Sequence, residues 1–186
     1  MNLPELKPGD LFCTKNPMWL GKAIAWFEKL KSKDNQAEYS HAGIIIGVPA
    51  ITFEAVWTNK KQDLLKAYRG QKVLIGRHAN MNMSSFQRGW NGVKKYEGKY
   101  YAGWRLLLHA LPFTSKIGTG NFAVCSELVM KFLSKSLVML NESNKDDVAK
   151  AIRTGESLYW KGWNPDDVAD MIRDHKGWYK VFEGTI

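Results

Sequence analysis

Ser40-His41-Ala42-Gly43-Ile44-Ile45-Ile46-Gly47, followed beyond Val48-Pro49-Ala50 by Ile51-Thr52-Phe53-Glu54-Ala55-Val56-Trp57, reads as two β-rich runs around a break containing Gly47 and Pro49. Such runs, bounded by Gly and Pro, predict a hairpin. His41 opens the first strand after the polar stretch 32–40, which puts its ring at the sheet rim on a backbone that the strand fixes. Glu54 is the only acid of the hairpin and sits among Thr52, Phe53, Ala55 and Val56, where an ionised group needs a reason. A two-residue turn at Gly47-Val48 sets His41 directly opposite Glu54, with Cβ atoms ~5 Å apart. A loop from Gly47 to Ala50 makes the pair diagonal instead. Either register leaves both side chains on one face of the sheet, because side chains alternate along a strand. A carboxylate so placed can orient an imidazole, or the two can simply satisfy each other.

Outward from the hairpin, Pro8-Gly9-Asp10 is a turn signal leading into a short strand, Leu11-Phe12-Cys13-Thr14. Trp19, Leu20, Ala23, Ile24, Trp26, Phe27 and Leu30 recur at helical spacing. Val73-Leu74-Ile75, ended by Gly76, is a third strand candidate, and 178–182 a late one. Helices are expected at about 84–96, 101–111 and 126–137, and from Asn164-Pro165 through Ile172. Helices and a mostly antiparallel sheet come in blocks instead of regular alternation, so the expected class is α+β. No repeat or Pro/Gly/Ser linker divides the 186 residues, and the whole chain, 1–186, reads as one domain.

Composition narrows the classes. Hydrophobic residues at 45% and charged residues at 24% match an ordinary globular domain and exclude collagenous, disordered and coiled-coil chains. Two cysteines cannot build a disulfide framework. The start Met-Asn-Leu-Pro-Glu-Leu-Lys lacks the apolar stretch of a secretory signal, and the run from Leu106 to Phe113 falls far short of the ~20 residues that span a bilayer. The expectation is a chain without signal or membrane segment, cytoplasmic or else phage- or virion-associated and delivered to the cell wall.

The net charge of +9 is concentrated between Thr58 and Arg105, where eleven bases face only Asp63 and Glu97. A segment of this kind attracts an anionic polymer: nucleic acid, anionic lipid or bacterial cell wall. No zinc-finger, basic-zipper or aromatic RNA-binding signature accompanies it, so no specific nucleic-acid partner is expected. The simpler alternative is a solvated face that aids solubility.

Cys125 lies in Asn121-Phe122-Ala123-Val124-Cys125-Ser126-Glu127-Leu128-Val129, where irregular chain turns into an apolar-periodic helix. A thiol at a helix N-terminus sits near unpaired N–H groups that favour the thiolate and can hold an oxyanion. The competing reading is a small buried hydrophobe, which also suits Cys13 in its apolar strand. Of the four histidines, His41, His78, His109 and His175, only His41 has a setting suited to a general base.

These residues carry a resemblance. Leu3-Pro4, Pro8-Gly9-Asp10-Leu11, Ser40-His41-Ala42-Gly43 with its isoleucines, Phe53-Glu54-Ala55, Gly76-Arg77, Tyr96 with Tyr100, Cys125-Ser126-Glu127-Leu128-Val129 and Trp163-Asn164-Pro165-Asp166-Asp167-Val168 occur in an order that resembles the circularly permuted papain-like hydrolases of the NlpC superfamily, YiiX-like branch. No motif is specific alone; histidine ahead of cysteine is the order that permutation produces. The resemblance implies a small antiparallel sheet with the cysteine helix packed against it. It also implies Cys125 as nucleophile, His41 as general base and Glu54 as the residue orienting it. Arg77 and Tyr39 are the substrate-contact candidates, Arg77 with a structural role as its alternative.

The function expected on this basis is a thiol hydrolase of amide bonds, a peptidase or amidase acting on peptidoglycan stem peptides through an acyl-enzyme on Cys125. No metal and no cofactor is required. Its partner would be an anionic cell-wall polymer or a peptide substrate, with membrane-surface contact as a further expectation. Two readings stay open beside it: a lipid acyl hydrolase or acyltransferase of the lecithin:retinol acyltransferase type, and a non-catalytic virion or cell-wall binding module that keeps the fold.

Overall fold

Alternation of side chains along six strands builds the molecule in two layers of core. The structure, a computed structural model, describes residues 4–15, 38–99, 125–137 and 165–186. The strands are β1 (Leu11–Thr14), β2 (His41–Gly47), β3 (Ile51–Ala55), β4 (Asn59–Asp63), β5 (Lys72–His78) and β6 (Trp178–Thr185). They form one antiparallel sheet in the order β4-β3-β2-β1-β5-β6. The helices are α1 (Leu64–Ala67), α2 (Met83–Val93), continued by a 3-10 turn at Lys94–Tyr96, α3 (Cys125–Ser136) and α4 (Pro165–Asp174). The class is α+β, as expected. The predicted helices at 19–30 and 101–111 lie outside the described residues.

Odd and even positions of each strand go to different cores. Leu11, Cys13, Ala42, Ile44, Phe53, Ala55 and Leu74 pack against the apolar faces of α2, α3 and α4. Phe12, Ile45, Val73 and Ile75 pack on the other side with Leu6, Leu64 and Tyr68. The helices close up where glycine permits it: a Cβ on Gly89 of α2 would fall 2.0 Å from Ser136 Oγ and 2.6 Å from the Phe132 ring of α3. Among the described residues no helix is long and apolar enough to cross a membrane.

The hairpin takes the longer of the two loops considered. Gly43 pairs with Glu54 and Ile44 with Phe53, with an irregularity between Ile45 and Gly47, so His41 and Glu54 are diagonal neighbours on one face. The third strand does not end at Gly76. It runs on to His78, because β6 continues to pair with it past an irregularity between Ile75 and Gly76. Strand β4 was not expected from Asn59-Lys60-Lys61-Gln62-Asp63, which has no β-formers. It forms because β3 offers it a ladder, and its lysines give a sheet edge that resists further pairing. Asp63 then caps α1 by accepting from the Leu65 and Lys66 N–H groups.

Candidate active site

Two strands and one helix end bring the site together. The first residue of β2 is His41, paired with Thr14 of β1, and the first residue of α3 is Cys125. Helix α3 packs on β2 and β3. His41 is hydrogen-bonded to Cys125 on one side, while its Nε2 lies 2.6 Å from Glu54 Oε2 on the other. With Nε2 engaged by Glu54, Nδ1 is the ring nitrogen left for the sulfur.

Glu54 is fully buried and receives three donors. Thr52 Oγ1 donates to Oε1 at 2.6 Å, and the Tyr68 hydroxyl donates to Oε2, the oxygen that also takes His41. Gln62 Nε2 in turn donates to the Tyr68 hydroxyl at 3.4 Å, which directs the phenolic proton toward Glu54. A carboxyl that accepts on every side is an ionised one. Burial pushes Glu54 up, but the His41, Thr52 and Tyr68 hydrogen bonds outweigh it and hold the group below its ordinary value. Burial likewise opposes charge on His41; the hydrogen bonds to Cys125 and Glu54 prevail and raise it to about 10. Burial, then the charge of Glu54, pushes the Tyr68 phenol up, so it remains a donor.

The surroundings fix the ring. Phe12 lies 6.0 Å and Tyr68 5.9 Å from the His41 ring, centre to centre. Gly43 makes room between Phe12 and Glu54: a Cβ there would fall 2.5 Å from the Phe12 ring and 3.0 Å from Glu54 Cβ. The glycine of His41-Ala42-Gly43 is therefore a packing requirement of the site.

The structure brings Cys125, His41 and Glu54 together, sets Arg77 apart from them and engages Tyr39, two residues before His41, in other contacts. Arg77 lies at the end of β5 away from the His41 end of β1, since Leu11 pairs with Gly76 while Thr14 pairs with His41. Its guanidinium is held in a two-pronged pair with Asp10, at 2.6 and 2.7 Å, and by the Glu5 carbonyl oxygen at 2.8 Å. That is the structural role named as its alternative, and a substrate carboxylate finds no free fork there. Tyr39 is buried; its hydroxyl donates to Glu183 and its ring lies under Lys72 and Arg173, so it ties the chain entering β2 to β6 and α4. Cys13 is buried beside the Pro165 carbonyl, and burial raises its thiol well above the ordinary range.

Sequence reading missed Thr52 and Tyr68. Thr52 was legible, since it stands two residues before Glu54 on the same strand and therefore shares its face. Tyr68 was not, because it follows α1, itself reached through an unexpected strand. As potential metal donors, Cys125, His41 and Glu54 are strung in a line with the imidazole in the middle. Among the described residues no group of three or more His, Cys, Asp and Glu side chains is placed to hold a metal ion.

No protein-family model matches the chain, and no curated protein matches its sequence. Among solved structures it is similar to the metalloprotein YiiX of Escherichia coli O157:H7, a protein of the DUF1105 group. The TM-score is 0.62 and the identity 19%, over 98% of this chain and 99% of that one. At that identity the likeness is one of fold, and it extends over essentially the whole of both chains.

Proposed function

We propose that this chain is a cysteine hydrolase of amide bonds with a circularly permuted papain-like fold of the NlpC-superfamily kind, acting on the stem peptides of peptidoglycan. The observation that carries the reading is the unbroken run of hydrogen bonds from Cys125 through His41 to a Glu54 carboxylate that three donors keep ionised. A nucleophile, a base and a group orienting the base are the parts that acyl transfer needs. The order of His41 before Cys125 in the chain supports permutation.

In the first half-reaction the Cys125 sulfur, its proton passed to His41, adds to the substrate carbonyl carbon. Backbone N–H groups at the start of α3 face the oxyanion that forms. The tetrahedral intermediate collapses with cleavage of the C–N bond, and His41 gives its proton to the departing amine. In the second half-reaction His41 takes a proton from water, the hydroxide adds to the thioester, and the carboxylic acid leaves as Cys125 is reprotonated. Throughout, Glu54 stabilises the imidazolium and holds the ring in place without itself taking the proton.

Purified protein should release new amino groups from sacculi and from synthetic stem peptides, with an acyl adduct on Cys125 visible by intact-mass analysis. The C125A variant should release none. Turnover of acyl lipids with no peptide cleavage would transfer the site to lipid acyl chemistry, and absence of any thiol-dependent turnover would reduce the chain to a binding module.

A further inference from the structure

The lysines of the basic segment do not spread evenly over the surface. Tyr96, in the 3-10 turn that ends α2, is a buried residue, and three ammonium groups gather on its ring. Lys95 Nζ lies 5.4 Å, Lys99 Nζ 5.5 Å and Lys131 Nζ 4.9 Å from the ring centre. Lys131 comes from α3, far along the chain, so the folded protein adds to the cluster a charge that lies outside the basic segment of the sequence. Exposed Lys94 and Lys135 flank it: Lys94 opens the same 3-10 turn, and the Lys135 stem lies against Gly92 of α2. Lys61 is occupied with Glu97 at 2.9 Å, whereas no carboxylate among the described residues pairs with the other five. Attraction to the ring holds each ammonium, yet bringing three like charges onto one tyrosine costs repulsion that a bound anion would relieve.

We propose that Lys95, Lys99 and Lys131, with Lys94 and Lys135 beside them, form a capture surface for a phosphodiester-linked cell-wall polymer. The choice of the wall as source rests on the function proposed above. Three features select this chemistry. The cluster offers point-charge ammonium groups instead of the planar guanidinium fork suited to carboxylates, which fits phosphate oxygens arriving from varied directions. Tyr96 is buried, so it offers no open face on which a nucleobase could stack. Among the described residues the large exposed hydrophobics are Val48, Trp57, Leu65, Met83 and Tyr179, none of them in the 3-10 turn or in α3, so the described part of the cluster presents no apolar wedge for a bilayer. Position supports the reading too. Lys131 is six residues beyond Cys125 on the same helix, ~9 Å along its axis, so a polymer held there lies close to the nucleophile.

The test is binding of purified poly(glycerol phosphate) chains to the full-length protein over a range of salt, compared between wild type, K95Q/K99Q/K131Q and a control, K7Q/K66Q/K176Q, that removes the same charge elsewhere. Wild type should bind with an affinity that falls steeply as salt rises. The cluster variant should lose about a hundredfold, at roughly a factor of five per ammonium, and the control about twofold or less. Cys125 alkylation should be unchanged in both variants, which shows that each is folded. Equal losses in cluster variant and control would make the effect one of net charge and overturn the proposal, as would binding indifferent to salt. Tighter binding of single-stranded DNA or of anionic vesicles than of the wall polymer would overturn it in favour of those partners. Capture without amide cleavage would leave this surface standing while the proposed hydrolase fails.

Discussion

Tyr68 and His41 meet on one atom: the phenol and the imidazole both hydrogen-bond to Oε2 of Glu54. One donor comes from β2, the other from the residue after α1. The carboxylate is thus pinned between the strand that presents the base and an element with no other part in the site, which turns Tyr68 into a positioning residue for His41.

The Y68F variant isolates that bond, because the ring keeps its packing on Phe12 and His41. Loss of a hydrogen bond to a buried carboxylate should cost about 1.5–3 kcal/mol, read by urea denaturation. A cost near zero would show that the phenol only fills space.

Removing the charge of Glu54 should do more. In E54Q an amide faces three donors with a single oxygen, and the imidazolium loses its buried counter-ion, so a destabilisation of about 3–5 kcal/mol is expected. The isosteric variant separates charge from shape. Stability and Cys125 alkylation close to wild type would remove Glu54 from the mechanism.

The same pair sets a pH window. His41 is raised from its ordinary 6.5 to about 10, so its contribution is fully present below pH 6.5 and is lost as pH rises through about 10. Glu54 is lowered, so its contribution is present above its ordinary value of 4.5 and is lost as pH falls below that. Unfolding free energy should therefore hold a plateau between about pH 4.5 and 6.5 and decline on the alkaline side between roughly pH 6.5 and 10. In H41N the alkaline decline should shrink. An unchanged decline in that variant would assign it to other groups.

The two thiols should differ sharply in reactivity. Cys13 is fully buried with its thiol raised well above the ordinary range, whereas Cys125 stands at a helix start against His41. Iodoacetamide near neutral pH should modify Cys125 alone in folded protein, and H41N should slow it by tenfold or more, since the thiolate is the reacting form. Preferential labelling of Cys13 would reverse the assignment of the nucleophile.

Much of this was legible in the chain because it rests on short-range periodicity. Alternation put His41 and Glu54 on one face whichever loop joined their strands, and the apolar spacing after Cys125 marked a helix start there. What escaped depended on partners distant in sequence. Asn59–Asp63 becomes a strand only because β3 has an open edge, and Tyr68 reaches Glu54 only through the helix that follows. Arg77 was a candidate for a substrate carboxylate through the resemblance, with a structural role as the alternative, and nothing local pointed to its partner, because Asp10 answers it from sixty-seven residues away. Burial of an ion pair across such a separation has no local signature.

Gly43 offers the last prediction, and it joins packing to chemistry. Its position between Phe12 and Glu54 leaves no space for a methyl group, since a Cβ would lie 2.5 Å from the Phe12 ring and 3.0 Å from Glu54 Cβ. Both neighbours are fully buried, so neither can swing into solvent. The G43A variant should lose about 1–3 kcal/mol from overpacking and should move Glu54 relative to His41, slowing Cys125 alkylation as well. Gly47, on the same strand, supplies the comparison: a Cβ there meets only Ile51, at 3.7 Å, so G47A should stay within about 1 kcal/mol of wild type with alkylation unchanged. If G43A proves as mild as G47A, the sheet yields at this point, and the site does not depend on the close fit of Phe12, Gly43 and Glu54.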